Sequence, residues 1–434
     1  MTKIALALAL LATAAPALAA PEAASPKELH ATVEKLVSFG TRHTLSTTTD
    51  PKRGIGAART WAAKRFGEIS KACGGCLTVE QVADKFTGPR APNGVVVANV
   101  LAIQKGSEEP NRVIMIAGHI DSRVTDVMNF TSDAPGANDD GSGSALVVEA
   151  ARILSKTKHK ATIVYALLSG EEQGLWGGQL LARTAKDRGW QVTAMLNNDI
   201  VGNTHGTAGT HIDDKVRVFS EGMRSSEDAE AAKLRRGIGG EDDGPSRALA
   251  KYVDGVATRI KGLEVLAIRR PDRFQRGGDH SPSLDLGYPA IRFSEATENY
   301  DREHQDLRTE NGRVYGDTID AMDFPYLARV TDINVATIAA LANAPAAPTN
   351  ATITGALSND TTVRWDAAPG AAGYRVYWRR ADGMDWTDHR DVKGATELFL
   401  KDVNIDDTFF GVSAFAADGS ESLISFCAGQ PRKN

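Results

Sequence analysis

Apolar residues recur at helical spacing near the start of the chain, gather into short unbroken runs in its middle, and alternate with polar ones towards its end. Ser25-Pro26-Lys27-Glu28 has the order of a helix start, with a capping serine, a proline in the first turn and an acid at the third position. Leu29, Val33, Leu36 and Val37 follow on one face, and Gly40 closes the segment. Trp61, Phe66 and Ile69 place a second amphipathic helix over residues 56–69. From Val95 onward, apolar runs at 95–103, 113–117, 163–168, 194–196, 265–268 and 290–293 are separated by helix candidates at 144–154, 176–188, 246–260 and 325–341. Runs apolar on both faces that alternate with helices predict an α/β fold, a mostly parallel central sheet flanked by helices.

Residues 342–350, Ala-Asn-Ala-Pro-Ala-Ala-Pro-Thr-Asn, break the last helix and read as a linker. Beyond them the period becomes two, at Thr362–Trp365, Tyr374–Trp378, Leu398–Leu400 and Phe409–Phe415, which predicts a C-terminal all-β sandwich. Its Trp365 and Tyr374 strands, and the strand that runs into Asp418-Gly419-Ser420, resemble a fibronectin type III module. The expected division is an α/β domain over residues 21–343, a linker over 344–350 and the sandwich over 351–434.

Length agrees, since 434 residues exceed one ordinary domain. A composition of 42% hydrophobic and 24% charged residues with a net charge of −5 is that of a soluble globular protein. It lacks the basic excess that a nucleic-acid partner requires. Residues 1–20 stand apart: Lys3, the apolar Ile4–Leu11 and Ala17-Leu18-Ala19 have the order of a secretory signal peptide. The run is short, rich in alanine and interrupted by Pro16, which argues against an uncleaved anchor. A secreted or periplasmic product with no stable membrane insertion after cleavage is expected. In such a compartment Cys73 and Cys76 of Cys-Gly-Gly-Cys are expected to form a disulfide. A redox role is the alternative, but the pair does not sit in a thioredoxin-like strand-to-helix pattern. Cys427 remains as a small buried apolar residue.

Candidate chemistry lies where apolar runs end. Val113–Ala117 leads into Gly118-His119-Ile120-Asp121, Ile163–Leu168 into Ser169-Gly170-Glu171-Glu172, and Ala194–Leu196 into Asn197-Asn198-Asp199. In open parallel sheets, functional groups gather outside the carboxyl ends of the strands, so residues far apart in sequence converge there. Asn138-Asp139-Asp140-Gly141-Ser142-Gly143 and His304 extend the series. Taken singly, a His-x-Asp, an acidic pair or an Asp-Asp-Gly turn is ordinary surface decoration.

Together, in the order His-x-Asp, Asp-Asp-Gly-x-Gly, Glu-Glu, Asp and His, these residues resemble the zinc-dependent exopeptidases of clan MH, peptidase family M28, which includes secreted bacterial aminopeptidases. The resemblance covers most of residues 95–310. It implies two zinc ions bridged by Asp139, one also held by Glu172 and His304, the other by His119 and Asp199. It further implies Glu171 as general base and Asp121 as the carboxylate that orients the His119 ring. Gly278-Asp279-His280-Ser281-Pro282 matches the family's Ser-Asp-His segment near the substrate cleft, with glycine in place of serine, so Asp279 and His280 are expected near substrate.

The residue chemistry agrees. Two dications about 3.5–4 Å apart repel and need a shared carboxylate. Asp139, Glu172 and Asp199 with one hydroxide, the nucleophile, neutralise them, and imidazoles complete zinc ligation. Glu171, free of metal, can shuttle the proton. Where many relatives place an oxyanion-binding tyrosine, this chain has Gln275, Arg276 and Glu303, leaving Tyr300 and Arg276 as candidates. His30, His43, His159 and His389 read as surface or locally bonded residues, and His205 and His211 as reserve ligands. The expected protein removes N-terminal residues from peptides. A carboxypeptidase or other amide hydrolase on the same dizinc core is the alternative, and a non-catalytic binding protein would require decay of a ligand set that is complete.

Overall fold

The computed structural model describes residues 21–429; the export signal expected over residues 1–20 lies outside them. Helix α1 (Pro26–Val37) starts at Ser25, whose Oγ accepts the Glu28 amide at 3.3 Å, and is followed by α2 (Gly54–Ala72). A disulfide joins Cys73 to Cys76 between α2 and β1 (Leu77–Gly88), which forms a long hairpin with β2 (Ala91–Gln104). Then come β3 (Glu109–His119), α3 (Gly141–Leu154), β4 (Ala161–Leu168), the single turn α4 (Glu171–Gly174), α5 (Trp176–Asp187) and β5 (Gln191–Asn198). The rest of this part is β6 (Lys215–Phe219), α6 (Ala229–Ile238), α7 (Pro245–Ala257), β7 (Glu264–Ile268), α8 (Ser281–Asp285), β8 (Ala290–Glu295), the small hairpin of β9 (Arg308–Glu310) and β10 (Arg313–Tyr315), and α9 (Phe324–Asn343).

One sheet carries the order β1-β2-β4-β3-β5-β8-β6-β7. Its centre, β4-β3-β5-β8, is parallel, as is the outer pair β6-β7, while β1-β2, β2-β4 and β6-β8 are antiparallel. Burial explains the distinction: every residue of β4 and β8 is buried, whereas the edge strand β1 is mostly half-exposed or exposed. On one face, Leu29, Val33 and Leu36 of α1 pack with α2, α3, α7 and α9; on the other, Leu181 and Ala185 of α5 and Leu284 of α8 cover β3, β4 and β5. Helix α1 rests directly on α9, and the Ala24 amide donates to Asp332 Oδ1 at 2.7 Å.

The four central strands, β4, β3, β5 and β8, all end at one edge, and two glycines let the backbone close there. A Cβ on Gly143 would stand 2.0 Å from the Asn198 carbonyl oxygen and 2.5 Å from Asp140 Oδ2, and one on Gly118 would stand 2.5 Å from the Gly143 carbonyl carbon. The ends of β3 and β5 and the start of α3 therefore touch main chain to main chain, which brings His119, Asp139 and Asp199 together.

Beyond Asn343, two four-stranded sheets face each other. One runs β15 (Glu397–Leu400), β12 (Thr361–Arg364), β11 (Thr352–Thr354), β18 (Ala428–Gly429), and the other β14 (Asp388–Val392), β13 (Gly373–Arg380), β16 (Thr408–Phe415), β17 (Ser425–Phe426). Val363, Trp365, Val376, Phe410, Val412 and Cys427 fill the space between them. This part docks on the α/β part through polar groups. Arg379, 1% exposed and set against Trp386 and Phe409, pairs with Asp243, which Lys251 Nζ also approaches at 2.7 Å. The Tyr252 hydroxyl donates to the Glu421 carbonyl at 3.1 Å.

Candidate metal centre

The centre is built on Asp139. Its Oδ1 lies 3.2 Å from His119 Nε2 and its Oδ2 2.8 Å from His304 Nε2. Around the first oxygen, His119, Glu171 and Asp199 offer ligand atoms all within 4.8 Å of one another; around the second, Asp139, Glu172 and His304 do the same. His119 and Asp199 stand at the ends of β3 and β5, and Glu171 and Glu172 in the turn α4 after β4. Asp139 precedes α3 across a cis peptide bond to Asp140. The Asp139 amide donates to Asp317 Oδ2 at 2.7 Å. Asp140 caps α3 by accepting the Gly143 amide at 2.9 Å, while its other oxygen accepts the His119 amide at 2.9 Å.

Each outer carboxylate has one oxygen held by a guanidinium. Arg123 Nε is 2.8 Å from Glu172 Oε2, and Arg292 Nη2 is 2.9 Å from Asp199 Oδ1. Glu172 Oε1 and Asp199 Oδ2 are left towards the centre, 3.1 Å from His304 Nε2 and 3.9 Å from His119 Nε2. Arg123 also reaches His304 Nδ1 at 2.6 Å. The Glu171 carboxylate makes no hydrogen bond or ion pair among the described residues.

Burial opposes charge on all of these groups, and their neighbours decide the result. Burial raises the Asp139 carboxyl, yet the rings of His304 and His119 outweigh it and hold the group well below the usual carboxylate range. Burial also opposes protonation of His119, but Asp121 and Asp139, with Asp140 and Glu171, hold the ring well above the ordinary histidine range. Burial pushes Glu171 well above the usual range, and Asp199, Glu172 and Asp279 add to the effect against the pull of His119.

The donor set fits two zinc ions: imidazole nitrogens and carboxylate oxygens in two groups, with Asp139 of one group reaching His119 of the other at 3.2 Å. Glu172 Oε1 is buried with no hydrogen-bond donor, an arrangement that a cation would satisfy.

All five residues expected as ligands, and Glu171, converge here. Asp121 faces His119 and also the turn after β4. His119 Nδ1 is 3.1 Å from the Asp121 main-chain oxygen and 3.6 Å from its carboxylate, which also accepts Thr44 Oγ1 at 2.9 Å and the Glu171 and Glu172 amides at 3.4 and 3.3 Å. The Asp121 carboxylate thus fixes the Glu171-Glu172 turn as well as facing the His119 ring, which the Asp121 main-chain oxygen also holds. Asp279 and His280, expected near substrate, are both fully buried behind the cleft wall. Asp279 accepts the Gly178 amide at 2.9 Å, its carboxyl pushed up to about 7 by burial, and His280 Nε2 is 2.7 Å from the Pro271 oxygen. Neither residue lines the cleft. Arg276 and Tyr300 do line the cleft, a space of about 670 Å³. Arg276 is tied to Glu298 and Glu303 at 3.2 and 2.5 Å, and Tyr300 is 59% exposed. His205 and His211 stack on each other, centroids 4.2 Å apart, outside both donor groups.

Sequence reasoning passed over Arg123 and Arg292, and gave Asp140, part of the Asp-Asp-Gly-x-Gly segment, no role of its own. Arg292 had a signal, a charge inside the apolar run Ala290–Phe293 that a buried parallel strand does not carry without a partner.

A large, mostly parallel α/β sheet with a paired-metal donor set at its carboxyl edge defines the class, and residues 99–338 match peptidase family M28. The chain belongs to that family of zinc metallopeptidases. It is 46% identical over 405 residues to the probable zinc metalloprotease Lema_P086240 of Leptosphaeria maculans, covering 92% of this chain and 93% of that one. The fold is similar to that of an aminopeptidase from Aneurinibacillus sp. strain AM-1 (TM-score 0.51, 14% identity, 73% of this chain and 93% of that one). It is equally similar to Porphyromonas gingivalis glutaminyl cyclase (TM-score 0.51, 18% identity, 73% and 98%).

Proposed function

We propose that the chain is an exported two-zinc aminopeptidase that hydrolyses the N-terminal bond of peptides, with residues 1–20 removed as a signal and the sandwich, similar to a fibronectin type III module, as an accessory domain. The observation that carries this reading is the position of Asp139, with one oxygen turned to His119 and the other to His304. Asp139 would bridge the two ions, Glu172 and His304 would complete one site, and His119 and Asp199 the other. When bound, the pair activates a water molecule and polarises the scissile carbonyl. Arg123 and Arg292 keep Glu172 and Asp199 to one free oxygen each. Glu171, a carboxylate with no partner of its own beside the donor set, takes a proton from the attacking water and returns it to the departing nitrogen. Asp121 holds the amides of Glu171 and Glu172 so that the free carboxylate stays beside the donor set.

Elemental analysis paired with hydrolysis of free and N-blocked aminoacyl anilides tests the reading. The expected result is two zincs per chain, cleavage of free substrates only, loss of activity on chelation and recovery with zinc. Activity that survives removal of all metal overturns the metal assignment. Cleavage confined to substrates with a free C-terminus points to a carboxypeptidase. Ammonia release from an N-terminal glutaminyl anilide whose anilide bond stays intact points to cyclisation of the kind named for the Porphyromonas gingivalis enzyme.

A further inference from the structure

The cleft beside the metal donors is not an apolar pocket. Apart from the donor residues and Glu171, its walls carry Arg90, Arg123, Arg273 and Arg276 against one further acid, Glu303, with glutamines and glycines, and only Pro89, Leu175 and Tyr300 offer apolar surface. A pocket for a leucine or phenylalanine side chain is lined mostly by apolar groups.

Two of these arginines have donors to spare. Arg90 sits at the tip of the β1-β2 hairpin, where Nη1 donates to the main-chain oxygen of Glu172 at 2.6 Å, and it has no acidic partner among the described residues. The hairpin is held in place by Phe86 stacked on Trp176, ring centroids 5.5 Å apart, so Arg90 is pinned over the donor set. On the Glu303 side stands Arg276, 37% exposed. It belongs to a network in which four guanidiniums, of Arg217, Arg273, Arg276 and Arg292, share three carboxylates, of Glu298, Glu303 and Asp272, besides the ligand Asp199. Once Asp199 is committed to a metal, that network has one positive charge in excess. Arg123, by contrast, has spent its donors on Glu172, His304 and the Val124 and Thr125 carbonyls.

We propose that Arg90 and Arg276 form an anionic subsite that binds a carboxylate of the substrate, carried either by an acidic N-terminal side chain or by the C-terminus of a short peptide. This deepens the reading of the site as a peptidase and rests on it. Guanidinium forks recognise carboxylates by paired hydrogen bonds, and a low-dielectric cleft strengthens them.

The zinc-loaded protein is tested with two pairs of substrates that differ only in charge: glutamyl and glutaminyl anilides, and Leu-Gly and its C-terminal amide. The charged member of at least one pair is expected to show a kcat/KM higher by roughly tenfold or more, the range of a charge-assisted hydrogen bond. Which pair responds identifies the source of the carboxylate. The ratio should fall towards one in Arg90→Gln and in Arg276→Gln, mainly through KM, and recover in part in Arg90→Lys. Equal rates within both pairs, or a preference undiminished in both glutamine variants, overturn the subsite while leaving the peptidase intact. Failure to hydrolyse any of the four substrates overturns the peptidase reading itself.

Discussion

Glu171 and Glu172 are neighbours in one turn, yet one carboxylate is unpaired and the other is held by Arg123 and faces His304. Glu171→Gln is therefore expected to keep both zincs and near-normal KM while kcat falls roughly 10²–10⁴-fold, because only proton transfer is lost. Glu172→Gln is expected to bind less zinc, since an amide is a poorer ligand and leaves Arg123 without its counter-charge. Elemental analysis and steady-state kinetics on the two variants check the pair, and a zinc-depleted Glu171 variant beside a fully loaded Glu172 variant would reverse the assignment. His119, Glu171, Glu172 and Asp199 were legible in the sequence because they follow the ends of apolar runs, whereas Asp139 and His304 were picked out only by the order of the whole set. The partners of those donors were not: Arg123 and Arg292 act through geometry that only the folded chain creates, and Asp121 faces the turn after β4, fifty residues on, more closely than the histidine two residues before it.

At the scale of elements, the site depends on how closely α3 can approach the end of β5. Gly143→Ala puts a Cβ where the Asn198 carbonyl already stands, so the helix start must retreat and take Asp139 with it. The expected outcome is a loss of about 1–3 kcal/mol of stability, read from urea unfolding, and a zinc content below two per chain. Full zinc occupancy and unchanged stability would show that the wedge is not needed. Most of the buried strands and of the helices that cover them were readable from their apolar runs, but β6 was not, because Lys215 and Arg217 interrupt its apolar residues, and α8 is a single short turn. Strand β1 was not, because it lies at the sheet edge with polar residues on both faces, and neither was α6, which has no buried residue at all. Patterning reports burial, and these elements are barely buried.

For the whole molecule, the sandwich is more firmly attached than its linker suggests. Arg379 and Asp243 are 1% and 3% exposed, so Asp243→Asn strands a buried guanidinium. A loss of about 3–5 kcal/mol is expected in unfolding experiments, with kcat/KM of the folded fraction unchanged, because the pair lies outside the cleft. An exposed pair would instead cost under about 1 kcal/mol, which is the result that would refute tight docking. The seat of α1 on α9 has a different consequence, one of timing. Helix α1 packs on α3, made early, but its seat is completed only by residues 324–343, and the Ala24 amide waits for Asp332. Contacts so distant along the chain form late and slowly, so the nascent α/β domain cannot close while its C-terminal helix is still being made.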